Sequence, residues 1–208
     1  MATSNSISDN RREQAQPSGT SPYLAPVEKP RDVRLKALYR LLGRQFGKPP
    51  GWLTVFSARM PLAFTSWMGK VYKLNKKLKL PTDTERIVRV QVDSVNGCGW
   101  CMDADRWYVT TKIPELVPKL DALPEYRTSP LFSDKERAAL DYATELTEQK
   151  RVGPETFAAL SRHYSEREIC ELAWIVSTNH LMNINNVGLG IGSDGLCELS
   201  DRTKSTGS

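Results

Sequence analysis

Two serines each stand three residues ahead of a glutamate and just before an apolar run, in SDKE (Ser133 to Glu136) and SERE (Ser165 to Glu168). In such a capping box the serine oxygen and the glutamate side chain each accept a backbone N–H that the first turn of a helix leaves free. Behind the first box Ala139, Tyr142, Ala143 and Leu146, and behind the second Ile169, Leu172, Ala173 and Val176, fall at i, i+3, i+4 and i+7. That spacing makes one apolar helix face. TDTE (Thr82 to Glu85) has the same form and opens ERIVRVQVDSVNG, predicted to end at Gly97. Leu35, Leu38, Tyr39 and Leu42 predict an earlier helix, and the stretch from Pro61 to about Leu78 another. In VGPE (Val152 to Glu155) the glycine is read as stopping one helix and the proline as opening a short one with Phe157 and Leu160. Alternating strand patterns and internal repeats are both missing, so the sequence predicts an all-α fold.

With 208 residues the chain has the length of one domain with tails. Composition divides it into a polar N-terminal tail over 1–25, expected to be disordered, a single helical domain over 26–198 and a flexible tail over 199–208. A net charge of +5 is too mild to argue for nucleic acid. The five lysines of KVYKLNKKLKL read as a solvated helix face. No apolar run approaches the roughly 18–20 residues of a membrane span, and no signal-peptide core is seen, so a cytoplasmic protein without membrane contact is expected.

In that setting NGCGWCMDADRW (Asn96 to Trp107) stands out, with two of the chain's four cysteines three residues apart. A break at Gly97 places Cys98 at a helix N-terminus, where free N–H groups and the macrodipole favour a thiolate, and puts Cys101 on the same face. Such a pair can hold a reactive thiol and a resolving partner. Two other uses of CxxC have less support: a thioredoxin fold needs strands, and a structural zinc needs two further ligands. Cys170 reads as buried packing.

The run VDSVNGCGWCMDADR resembles the CxxC branch of the carboxymuconolactone decarboxylase and alkyl hydroperoxidase D-like superfamily. So do LPTDTER before it and LFSDKERAALDYATELTEQKRVGPETFAALSRHYSEREICELAWIVSTNHLMNINNVGLG after it. The similarity spans roughly Asp32 to Gly190. It implies an all-helical fold assembled as dimers, trimers or hexamers, and a peroxidase or disulfide oxidoreductase that needs no bound cofactor. The resemblance also implies that Cys101 reacts with a small hydroperoxide, that Cys98 resolves it, and that an external dithiol, from a donor protein or a small thiol, restores the pair. A non-catalytic redox-responsive member is the alternative, and a lactone decarboxylase is disfavoured by the dithiol.

Two positions depart from that pattern. The family's histidine four residues after the second cysteine is Asp105 here, and its glutamate twelve residues before the first is Arg86. A carboxylate is a poor acceptor for a thiol proton, and its charge raises the thiol pKa. Arg86 facing Asp105 would form a swapped ion pair, either restoring the balance or only holding two helices together. His180 is a candidate substitute base if the last helix passes the dithiol. Glu85 is read as part of its cap, Trp100 as packing over the cysteines, and Asp103 and Arg106 as solvent or subunit contacts.

Overall fold

Residues 21–196 are described by the computed structural model of the chain. All regular structure among them is helical. Helix α1 spans Val33–Phe46, capped by the Asp32 carboxylate and closed by Gly47 in the left-handed region. Two wide-turned segments follow, Leu53–Ser57 and Ala63–Met68, the second running into α2, Gly69–Asn75. The first of these carries no sequence assignment, and the second divides the single helix expected after Pro61. The remaining α-helices are α3 (Thr82–Val95), α4 (Gly99–Lys112), α5 (Val117–Asp121), α6 (Asp134–Gln149), α7 (Pro154–Ser161) and α8 (Glu166–Gly188), with single tight turns at Pro114–Leu116 and Leu123–Glu125.

The boxes at Ser133 and Ser165 form as read, each serine oxygen accepting from the N3 backbone and each glutamate reaching back. Replacing either serine by alanine is expected to cost about 1 kcal/mol, measured as a lowered urea midpoint at constant slope. The third box does not form. Pro81 already holds the extended cap conformation, with ψ 141°, so Thr82 is the first helical residue rather than the cap. Glu85 then turns along the helix to Arg89, at 2.9 Å. Two further expectations are corrected. Lys150, in the left-handed region with φ 59°, ends α6, while Gly153 caps α7. Cys170 is exposed, because α8 turns Leu172, Ile175 and Val176 to the core instead.

Helix α3 is central and packs against α4, α6 and α8. Ile87, Val88, Val92, Leu140, Ala143, Leu172 and Ile175 belong to the main core. A smaller core joins Leu35, Tyr39, Trp52, Leu53 and Val55 to Ile191 of the strap that follows α8, residues 189–196, with Trp100 against it. Of the segment 1–25, residues 1–20 lie outside the described ones, as does 199–208. Tyr23 and Ala25 are hydrogen bonded to the body, through Leu189 O and the Arg59 guanidinium.

Candidate dithiol site

At the end of α3 Gly97 takes φ 65°, Gly97 N–H donates to Ser94 O and Cys98 N–H to Asp93 O. This paired closure needs a left-handed residue, which glycine supplies without a Cβ clash. The turn leads straight into α4, with Cys98 as its cap. The Cys98 sulfur accepts the Cys101 N–H at 3.3 Å, in the place of a serine oxygen. Negative charge on that sulfur is favoured by the helix dipole.

Cys98 and Cys101 are joined in a disulfide, with Cα atoms 5.3 Å apart. Their surroundings differ. Cys98 is fully buried, whereas Cys101 is 8% exposed and is the one of the two that lines a cavity of about 500 Å³. Tyr72, Trp100 and Tyr108 form aromatic walls of that cavity, and Arg86, Asp93 and Asp105 bring charge to it. Another depression, of about 370 Å³ around Asp141, Glu145 and Glu148, contains neither cysteine nor histidine.

Asp105 stands one turn beyond Cys101. Its Oδ1 accepts from Arg86 Nη1 at 3.1 Å, and the Arg86 guanidinium lies 4.1 Å from the Tyr108 ring centre. His180 does not line the cavity. Its Nδ1 is 3.1 Å from the Asn96 amide, and burial, then the charge of Lys150, lowers its pKa. Trp100 donates to Asp194 at 2.8 Å and packs edge-on against Trp52. Asp103 is buried and accepts from Ser193 Oγ and Leu196 N, so it anchors the strap instead of meeting solvent. Arg106 pairs with Asp121 at the surface.

A second layer joins α8 to the dithiol. Asn179, Asn183 and Asn186 fall at i, i+4 and i+7 on one face of α8, opposite Arg89 and Asp93 of α3 and Asn96, which caps its end. Asn186 Nδ2 points at both sulfurs, 3.4 Å from Cys101 and 3.7 Å from Cys98. Asn179 and Asn183 both donate to Asp93 Oδ1, at 2.9 and 2.8 Å, and Asn96 donates to Asn183. The Asp93 carboxyl is held well above its ordinary pKa, by burial first and by the Asp105 charge second, with the Asn183 hydrogen bond opposing. Sequence reasoning missed Asp93 and the three asparagines. Matching polar stripes at helical spacing on two apolar helices are the signal that could have found them.

No family model matches the chain. An uncharacterized protein of Escherichia coli K12, YnjA, is 27% identical over 144 residues, 67% of this chain and 74% of its own length. The debrominase Bmp8 in its apo crystal structure is 25% identical with a TM-score of 0.68, over 82% of this chain and 91% of its own. A cysteine-to-alanine variant of Bmp8 with 2,3,4-tribromopyrrole superposes with a TM-score of 0.71 at 22% identity, over 88% of this chain and 98% of its own. An uncharacterized peroxidase-related protein of Ralstonia eutropha JMP134, described as an alkylhydroperoxidase AhpD core, aligns with a TM-score of 0.63 at 18% identity, over 79% of this chain and 88% of its own.

Proposed function

Because the chain carries the alkyl hydroperoxidase D-like fold, we propose that it is a thiol-dependent oxidoreductase reducing small hydroperoxides through Cys98 and Cys101. The observation that carries this reading is the asymmetry of the pair, Cys101 open to the cavity and Cys98 sealed behind it at the helix cap. In the reduced protein the Cys101 thiolate attacks a peroxide oxygen. The O–O bond breaks, the sulfur becomes a sulfenic acid, and the leaving oxygen takes a proton to form the alcohol. Cys98 then displaces water to close the disulfide. An external dithiol returns two electrons and two protons, so the cycle requires no bound cofactor.

Helix dipole, Asn186 and the Arg86 guanidinium favour the thiolate, offsetting the Asp105 charge. No helix among the described residues is long and apolar enough to cross a membrane. A reducing cytoplasm is the compartment this chemistry fits. Leu62, Trp67, Tyr72, Leu181 and Ile184 leave apolar surface exposed, which favours a homo-oligomer.

The flat aromatic walls of the cavity, together with the likeness to Bmp8, favour reductive dehalogenation as a second reading. There the thiolate would take up the halogen, the aromatic carbon would gain a proton, and Cys98 would expel halide as the disulfide forms. One assay separates the two. With dithiothreitol as reductant, the purified protein is expected to consume cumene hydroperoxide, and the pre-reduced protein given the peroxide after the dithiothreitol is removed is expected to form the Cys98–Cys101 disulfide, mapped by mass spectrometry. Bromide release from a bromopyrrole without peroxide consumption would replace the first reading by the second. No turnover of either would leave a non-catalytic, redox-responsive protein.

A further inference from the structure

Both reactions just described need a proton at the moment a bond to Cys101 is made or broken, and the dithiol itself does not hold a spare one. Asp93 is 1% exposed, and its two oxygens are treated unequally. Oδ1 takes two amide hydrogens from α8, while Oδ2 is buried with no donor to accept from. Beside the two amides, the Asp105 carboxyl lines the same cavity as Asp93 and meets its carboxyl there. Two carboxylates in such contact repel, and a single proton between them turns the repulsion into a short, charge-assisted bond.

The remaining surroundings fit one negative charge for the pair rather than two. The charges acting on Asp93 are those of Asp105, from α4, and Arg89, from its own helix. Arg89 is already engaged by Glu85 and Asn179. Helix α8 offers Asp93 amides, its His180 being tied to Asn96, and α6 meets α3 on another side through Gln91 and Thr144. Arg86 is bonded to Asp105 and lines the cavity together with Arg89, held by Glu85 and Asn179, and Lys76, which lies over the Tyr72 ring.

We propose that Asp93 and Asp105 share one proton and form the proton store of the dithiol site, Asp105 handing the proton on and Asp93 acting through it. This deepens the oxidoreductase reading and rests on it. In the peroxide reaction the store protonates the leaving alkoxide, and the thiol proton of Cys98 leaves with the sulfenic oxygen as water. The pair, then doubly ionised beside Arg86, regains its proton from solvent through the cavity. In the reverse half of the cycle an external thiolate attacks the disulfide, an S–S bond breaks as a mixed disulfide forms, and the store protonates the expelled thiolate.

Two measurements on the full chain test it. Isotope-edited infrared spectra of the oxidised protein at pH 7 are expected to contain the carbonyl band of a protonated carboxylic acid, lost in Asp93→Asn and shifted in Asp105→Asn. A wild-type spectrum without that band, or a band indifferent to both variants, overturns the proposal; the second variant serves if the first folds poorly. Reduction of the disulfide by dithiothreitol, which requires no peroxide, is expected to slow about 10²-fold at pH 7 in Asp93→Asn and to recover in part in Asp93→Glu. Its pH profile is expected to lose the limb due to the pair. An unchanged rate and profile would sink the proposal. Failure of the peroxidase reading is distinguishable, because it abolishes peroxide consumption in the wild type while leaving the band and the dithiothreitol effect in place.

Discussion

In Cys98→Ser, hydroperoxide oxidises Cys101 once to a sulfenic acid and goes no further, whereas Cys101→Ser leaves Cys98 unmodified. Both variants are expected to lose steady-state turnover, by on the order of 10³-fold or more. The difference lies in what accumulates, read by a sulfenic-acid-specific label and mass spectrometry. Its cause is geometric. Cys98 has no exposed surface, with its sulfur turned inward onto the Cys101 N–H, while Cys101 borders the cavity through which a peroxide arrives. A thiolate that no oxidant can touch is not oxidised, however low its pKa. Without Cys98 the sulfenic acid at Cys101 has no resolving partner within the described residues, since Cys170 lies at the surface of α8. A label found on Cys98 in Cys101→Ser would reverse the assignment.

The helices that hold this pair were legible because their signals are local. Ser133 and Ser165 announce their helices within four residues, and Gly97 announces the break that exposes the α4 N-terminus. Where a neighbouring residue competes for the same task, the local signal fails. Pro81 takes the cap conformation from Thr82, and Lys150 stops α6 before Gly153 is reached. The charged second layer was out of reach for a different reason. Asp93 and Asn183 are 90 positions apart, and a buried Asp on a helix with Arg89 and Glu85 looks in sequence like one more member of a solvated face. Its meaning depends on α8 crossing at a depth that excludes water. Asp103 and Asp194 are similar, since only the strap brings Ser193, Leu196 and Trp100 to their carboxylates.

Glu171→Ala is expected to destabilise the protein by about 3 kcal/mol at pH 7, through loss of the latch between α8 and the segment that precedes α3. The Glu171 carboxylate is 3% exposed and accepts Lys79 N–H at 2.6 Å and Leu80 N–H at 3.0 Å on one oxygen, Arg167 Nε at 2.8 Å on the other. Truncation removes the partner of two backbone donors, of which Leu80 N–H is buried and Lys79 N–H half-buried. Burial by itself would raise the Glu171 pKa, but Arg167 and the two N–H groups outweigh it and hold the value below that of an ordinary glutamate. A carboxyl whose folded pKa is depressed stabilises the fold above its unfolded value, near about 4.3, and that stabilisation is lost as pH falls through the folded value. The gap between wild type and Glu171→Ala, measured by urea denaturation, is therefore expected to narrow as pH drops below about 4. A gap that stays constant from pH 7 to pH 3 would assign the loss to packing alone. Glu171→Gln, which keeps one acceptor without its charge, is expected to fall between the two. The latch also bears on the site, because Lys79 and Leu80 fix where Pro81 begins α3, and α3 carries Arg86 and Asp93 to the cavity.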